Sequence, residues 1–458
     1  MRTPRWHSSA MRMRSPASVP RMRPEEIRAL GELGGDTLAG VAAQAQGVHE
    51  GISHRVFAAV GPAGMVVRVM HDAIVRGVYQ AVRGGLRSFA RGGASAVRAM
   101  QAADAPSIER TSTGRVALGA LNGIYGDTLQ RRGSPLALGT TIRLPRGGTP
   151  RGREAHGARD VRDARDVQIG REALALAFPD ASPRLAVFLH GLCETEDAWR
   201  LGDRRHVPYG AALQTELGYT PLYVRYNSGR HISHSGRELA ELLARVSENW
   251  PVEVQEIALI GHSMGGLVAR SACHYGDGSE WCSKVRHLFT LGAPHRGAPL
   301  ERLANVAGAG LGMLPETRVI ASTLNSRSAG IKDLRFGYLL DEDWLDQEPD
   351  ALLRNTGKEV PFLSTANHYF VCATLSREPD APVGRMIGDL LILRESAWDH
   401  SPHGERMRFP VDHYRHFGAA SHLDLLNHPA IYAQIHRWLS GRRALAAGGV
   451  GDRRPLFA

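Results

Sequence analysis

Ser263 sits at the centre of Gly261-His262-Ser263-Met264-Gly265-Gly266. An apolar run, Ile257-Ala258-Leu259-Ile260, precedes this motif, and a helical pattern, Leu267-Val268-Ala269-Arg270, follows it. A serine at a tight turn between a strand and a helix is the context that a nucleophile elbow, G-x-S-x-G, demands. The glycines let the strand and helix approach closely while the hydroxyl stands clear of the sheet. A helix starting directly behind the serine aims N–H groups and a positive dipole end at a developing oxyanion. G-x-S-x-G also occurs as an idle turn, so the flanking strand and helix carry the reading.

A serine hydroxyl is a weak nucleophile until a base takes its proton, and the base needs an orienting carboxylate. In the order Ser, then Asp, then His, both partners lie downstream. The later histidines are His400, His403, His413, His416, His422, His428 and His436. His422 is the best placed, because the small-residue loop Gly418-Ala419-Ala420-Ser421 precedes it and an apolar run follows. His416 and His428 remain rivals. His428 precedes Pro429 and reads as a helix start, and His436 as a mid-helix residue. Asp389 follows Gly388 at a strand-like turn and is the favoured acid, with Asp399, Asp412 and Asp424 as alternatives. Asp424 reads as a helix cap. Two N–H donors are expected for the oxyanion hole. One is Met264, and the other comes from His190-Gly191-Leu192-Cys193, with Leu192 preferred and Cys193 as the fallback. Asp412-His413-x-x-His416 has spacing compatible with metal ligation, yet no full ligand set is evident; neither a metal nor a cofactor is called for.

Alternating elements must position these groups. Strands are expected at Leu136–Leu144, Ala173–Phe178, Ala186–Leu189, Leu222–Val224, Ile257–Ile260, His287–Leu291, Tyr369–Cys372 and Leu390–Leu393. Helices are expected near Glu196, over Glu238–Trp250 with Leu239, Leu242, Leu243 and Val246 inward, from the elbow to about Tyr275, and over Ile431–Leu439. Strand alternating with helix argues for an α/β fold, a mostly parallel sheet covered on both faces. The alternation breaks after Pro299, which suggests a cap inserted above the carboxyl ends of the strands.

Charge divides the chain of 458 residues unevenly. The formal net charge is +10, and residues 1–150 hold 20 Arg, no Lys and 9 Asp or Glu. The remainder is nearly neutral, which argues against a nucleic-acid enzyme and leaves room for an anionic membrane surface. Val66–Arg87 reads as an amphipathic helix with Arg68, Arg76, Arg83 and Arg87 on one side, either packed on the main domain or resting on a membrane. The start of the chain shows no secretory leader, and no apolar window is long enough to cross a bilayer. Cytoplasmic residence follows, with peripheral membrane contact through the basic N-terminal helices left open. Four cysteines, Cys193, Cys273, Cys282 and Cys372, show no metal-type spacing; Cys273 and Cys282 pair only in an oxidising compartment. The expected organisation is a disordered basic tail (1–24), a helical extension (25–112), a catalytic domain (113–442, with a flexible insertion at 145–168 and a cap near 300–365) and a second disordered tail (443–458).

Residues from about 134 to 442 resemble the α/β-hydrolases of lipase/esterase type, in the branch of bacterial triacylglycerol lipases and GPI inositol-deacylase-like proteins. The resemblance rests on His190-Gly191-Leu192, Gly261–Gly266, Leu291-Gly292-Ala293-Pro294-His295-Arg296-Gly297, Gly388-Asp389 with Ser396-Ala397, and His422-Leu423-Asp424-Leu425-Leu426. It implies an α/β-hydrolase fold and a triad of Ser263, Asp389 and His422. The match departs after Asp389, where the family often has Gly-Leu-Val and this chain has Leu390-Leu391-Ile392. The implied activity is hydrolysis of a lipid-like or other hydrophobic ester through an acyl-enzyme. An acyltransferase of the same fold, or a membrane- or granule-binding protein with a vestigial hydrolase domain, are the alternatives.

Overall fold

The computed structural model describes residues 22–37, 107–144, 166–201, 206–298, 327–374 and 411–441, with single residues between 40 and 90 and between 301 and 306. Among the described residues seven strands form one sheet in the order β1-β3-β2-β4-β5-β6-β7: β1 (Thr141–Arg143), β2 (Arg184–Leu189), β3 (Thr220–Arg225), β4 (Glu256–His262), β5 (Val285–Leu291), β6 (Asn367–Thr374) and β7 (Tyr414–Gly418). Every pairing is parallel except β1 with β3.

The central strands are Val-, Ile-, Leu- and Phe-rich because a parallel sheet is buried on both faces. Successive side chains go to opposite sides. Val187, Leu189, Ile257 and Leu259 join one core with helix α4 (Ile232–Asn249) and helix α5 (Met264–Tyr275). Ala186, Phe188, Ala258 and Ile260 join the other core with α3 (Tyr209–Leu217) and α8 (Pro429–Leu439). The inward face of α4 carries Leu239, Leu242, Leu243 and Val246, all buried, as the heptad-like spacing implies. Gly236 admits α5 at close range, since a Cβ there would lie 2.5 Å from Ser271 Cβ.

From β2 the chain crosses to β3 on one side and then returns past β2 to β4, from which it proceeds outward through β5, β6 and β7. The connections leaving β2 and β4 therefore diverge, and it is at the carboxyl ends of such a pair that open α/β sheets hold their ligands. The loop after β2 and the turn after β4 are the two segments that contain Gly191 and Ser263.

Helix α1 (Ser112–Arg131) is built into this region. Its glycines 119, 123 and 126 share one face, and a Cβ at these positions would lie 2.9 Å from Cys193 O, 2.8 Å from Cys193 N and 2.8 Å from Asn227 Cγ respectively. The stretch just before it is tied to the sheet edge by charge. Glu109 Oε2 accepts from Arg225 Nη1 (2.7 Å) and Arg143 Nη2 (2.9 Å), and Arg225 also makes a bidentate pair with buried Glu196 (2.7 and 2.8 Å). Arg115 pairs with Asp197. Residues 24–37 are helical and place Ile27 and Ala29 in the described core, Ala29 against Leu118 and Leu129. Asp36 bridges Arg87 (3.1 Å) and Arg132 (2.7 Å).

Some expectations change. Residues expected as a strand over Ala173–Phe178 form helix α2 (Arg171–Ala177). Glu, Ala and Leu favour a helix, and Leu174 alone is buried whereas Leu176 is exposed. The strand expected over Leu136–Leu144 shrinks to β1, because Leu136 and Leu138 are consumed by the core beneath α1. The helix expected near Glu196 is a 3-10 turn, Glu196–Arg200. Strand β7 was not expected, since Tyr414-Arg415-His416-Phe417-Gly418 is too polar and too short to stand out. Leu390–Leu393 and most of Val66–Arg87 lie outside the described residues. All four cysteines are free, with Cys273, Cys282 and Cys372 buried. Among the described residues no helix is long and apolar enough to cross a membrane.

Arg225→Ala removes the bidentate partner of a buried carboxylate at the sheet edge. The expected cost is about 3–5 kcal/mol, read by urea denaturation; a loss under about 1 kcal/mol would show that the edge network is mere decoration.

Candidate active site

Ser263 has φ 52° and ψ −124°, a left-handed conformation that a non-glycine residue rarely adopts. Such a backbone costs on the order of 1–3 kcal/mol and persists only when its surroundings enforce it. Here they do. Ser263 N donates to Leu291 O (2.8 Å), and Gly266 N donates to Ser263 O (3.0 Å). A Cβ on Gly261 would lie 2.5 Å from the Gly265 carbonyl carbon, and one on Gly265 would lie 2.6 Å from His190 O. Strand β4, helix α5 and the end of β2 are thus in backbone contact, with the serine at their junction.

His422 comes to the same end of the sheet. It opens a 3-10 turn, His422–Leu426, entered through Ala419 at φ 55° and anchored by Ala420 N to Thr374 O (3.0 Å). Its ring rests on Gly292, the residue after the Leu291 carbonyl that holds Ser263; a Cβ on Gly292 would lie 2.9 Å from His422 Cε1 and 2.6 Å from Leu425 Cδ1. Gly292 itself has φ 64°. Tyr209 pins the far side of the turn, donating to Leu425 O (3.2 Å) and accepting from His428 N (2.8 Å).

The rival histidines have other work. His428 Nδ1 accepts from Ala430 N (3.2 Å) and caps α8. His416 Nε2 lies 2.8 Å from Thr374 Oγ1, and His436 lies 3.5 Å from Glu216 on the surface of α8. His413 packs on Tyr369 with ring centroids 4.5 Å apart. Asp424 accepts from Ser421 N (2.8 Å) and Oγ (2.7 Å) as a cap. Asp412 uses its backbone carbonyl to receive Trp438 Nε1 (2.9 Å). Asp389, Asp399, His400 and His403 lie outside the described residues.

The loop after β2 faces the serine, since a Cβ on Gly191 would lie 3.1 Å from Ser263 Cβ. Cys193 N donates to Ser228 Oγ (3.2 Å), which removes it as an oxyanion donor. Burial pushes the Cys193 thiol up to about 11, so it is no nucleophile. Among the described residues nothing accepts the Leu192 N–H. Met264 N–H belongs to the first turn of α5, where the helix supplies no acceptor. His190 is neutral: its Nδ1 donates to Gly191 O (2.9 Å), its Nε2 accepts from Tyr226 N (3.3 Å), and burial lowers its pKa. His295 is also kept neutral by burial beside Arg270.

Two residues that sequence reading missed complete the arrangement. Glu194 Oε2 accepts from Gly191 N (2.7 Å) and lies 3.1 Å from His262 Nδ1, and His262 Nε2 lies 3.1 Å from His422 O. Burial works against the Glu194 charge, but the His262 ring and the Gly191 N–H beside it hold its carboxyl at about 2. His262 fills the variable position of the elbow motif, and its signal was its own identity, a ring that must be buried once the motif folds.

A cavity of about 470 Å³ lies elsewhere, between α1, the start of α4 and residues 327–356. Its walls include Arg230, Lys332 and Arg335, but Glu238, Asp350 and Glu301 meet these cations, and Ser263 is not among its lining.

Residues 226–307, which begin directly after β3 and run through the elbow and past β5, match the PGAP1-like alpha/beta domain family. No curated protein sequence matches the chain. Among solved structures, the mature lipase BlEst2 of Bacillus licheniformis is similar at 18% identity over 56% of this chain and 91% of that one, with a TM-score of 0.37. EstA from Clostridium botulinum shows 12% identity, covering 57% and 87%, at 0.33, and Staphylococcus hyicus lipase 15%, covering 56% and 95%, at 0.30. The sheet order and the strained elbow identify the fold as that of the α/β-hydrolases.

The low Glu194 pKa sets an acid limit. A carboxylate held at about 2 against an ordinary 4.5 contributes stability that is present above 4.5 and lost as pH falls toward 2. The full contribution is on the order of 3 kcal/mol. Urea midpoints of the wild type are expected to fall across that window, and those of Glu194→Gln to fall less steeply; parallel curves would refute the ion pair. Gly292→Ala is expected to cost about 1–3 kcal/mol by forcing both φ and the His422 ring, read by the same denaturation.

Proposed function

We propose that the protein is a serine carboxyl-ester hydrolase acting on a lipid-like or other hydrophobic ester. The observation that carries this reading is Ser263 held at φ 52° between β4 and α5, with the Gly191 loop and the His422 turn at the same end of the sheet. In this reading Ser263 Oγ gives its proton to His422 and attacks the ester carbonyl. The amides of Leu192 and Met264 receive the oxyanion. His422 then protonates the departing alcohol, and a water activated by the same imidazole releases the acid from the acyl-enzyme. Asp389 is the carboxylate proposed to orient His422, by its order in the chain and its setting after Gly388. The reaction needs no cofactor, because every proton and electron pair moves between these side chains, the ester and water.

Ser263→Ala and His422→Ala are each expected to lower turnover of p-nitrophenyl butyrate by on the order of 10⁴-fold or more, and Asp389→Ala by less. A fluorophosphonate probe is expected to label the wild type at Ser263 and to leave Ser263→Ala unlabelled. Undiminished hydrolysis by Ser263→Ala would end this assignment. A series of p-nitrophenyl esters from acetate to palmitate reads the acyl preference, with longer chains expected to give the higher kcat/KM.

A further inference from the structure

Glu194 and His262 form a pair beside Ser263 and His422, and what the pair does rests on the Ser263–His422 reading. Three segments far apart in sequence meet through these two side chains: the loop after β2, the elbow and the turn that carries His422. One carboxylate oxygen, Glu194 Oε2, receives both Gly191 N (2.7 Å) and His262 Nδ1 (3.1 Å). The other ring nitrogen of His262 reaches the His422 carbonyl (3.1 Å). The His262 ring is fully buried, edge-on to Trp199 and tilted against the His422 ring with centroids 4.6 Å apart.

The protonation state follows from the partners. A backbone carbonyl only accepts, and so does an ionised carboxylate. Both ring nitrogens of His262 must therefore carry hydrogen, which makes the ring an imidazolium. A neutral imidazole would present a lone pair to one of its two acceptors. Turning the ring over would put carbon against both. The charge is tolerable in a fully buried place because Glu194 stands beside it.

We propose that His262, held as a buried imidazolium by Glu194, is a positioning residue that fixes the backbone of the base at His422, while Glu194 fixes the oxyanion loop at Gly191 through the same oxygen. The link acts on placement and touches no reacting atom. Its loss moves the base and the oxyanion donors relative to Ser263, and displacements of about 1 Å cost on the order of 100-fold in rate.

The test uses the full chain and three substitutions, each checked for a native urea transition. Gln at 262 can place its amide N–H near the Nε2 position and keep the donor to His422; Asn at 262 can place its amide near Nδ1 and keep only the link to Glu194. Glu194→Gln leaves an oxygen for Gly191 but removes the charge that holds the imidazolium. His262→Asn and Glu194→Gln are expected to lower kcat on p-nitrophenyl butyrate about 10–100-fold with KM changed less than about threefold, and His262→Gln to recover about tenfold of the loss. Equal losses in the Asn and Gln variants, or losses carried by KM, would reduce the pair to packing and overturn the proposal. A second readout needs no turnover. Imidazole ¹⁵N spectra of the wild type at neutral pH are expected to show both His262 nitrogens protonated, and those of Glu194→Gln to show a neutral ring; a neutral tautomer in the wild type overturns the proposal outright. Ser263→Ala is assayed alongside. If it is inactive while His262→Asn matches the wild type, the site reading stands and the positioning role falls. If Ser263→Ala still turns over, the site reading falls, and the spectra alone decide the Glu194–His262–His422 link.

Discussion

A serine cannot rest at φ 52° unless the chain on either side has nowhere else to go, and everything at the carboxyl end of the sheet follows from that confinement. The confinement is made of backbone. Gly261 and Gly265 leave no room for a Cβ where β4 turns into α5 and where α5 meets the end of β2. The Ser263 N–H is spent on the Leu291 carbonyl of the next strand, so the elbow is pinned to the sheet and not only to itself. Strain held this way is a fixed direction for the side chain, obtained before any ligand arrives.

The same logic extends outward from the elbow. The loop after β2 must stay still if its amides are to face Ser263, yet it is irregular backbone with few partners of its own. It is braced from behind by the glycine face of α1, which lies against Cys193 and Asn227 without intervening side chains. It is braced from the side by Glu196 and Asp197, which hold Arg225 and Arg115. It is braced from within by Glu194. Helix α1 and the residues before it therefore do structural work for the site although they lie far upstream of the motif. Glu109 makes that concrete, since its carboxylate reaches two arginines on the sheet edge from a position just ahead of α1.

Sequence and structure agree most closely where one physical cause dominates. Ile257–Ile260 and Ala186–Leu189 could only be buried strands, and α4 declared itself by Leu239, Leu242, Leu243 and Val246. His428 and Asp424 were readable as caps because capping is a local affair. Sequence and structure part where two causes compete over a short span. Ala173–Phe178 alternates like a strand, but six residues of Ala, Leu and Phe carry no period that separates strand from helix. Strand β7 is polar and the outermost of the described strands, so the apolar signal that marks its neighbours is missing. Leu136 and Leu138 are apolar for the sake of α1 and not of the sheet.

The site shows the same division. Ser263, Met264, Gly191 and His422 carry local signatures, and the fold sets them at one end of the sheet. Glu194 carries none and His262 only its own identity within the motif, because what they do is relational. A glutamate three residues after a glycine and a histidine before a serine are unremarkable until the fold sets one beside the other and both beside His422. That Ser228 Oγ, from the loop after β3, occupies the Cys193 N–H is likewise invisible in the sequence, where Leu192 was preferred on position alone. Hydrogen bonds between distant segments are what the fold adds to the motif. In this chain they decide which of the atoms that could serve chemistry remain available to do so.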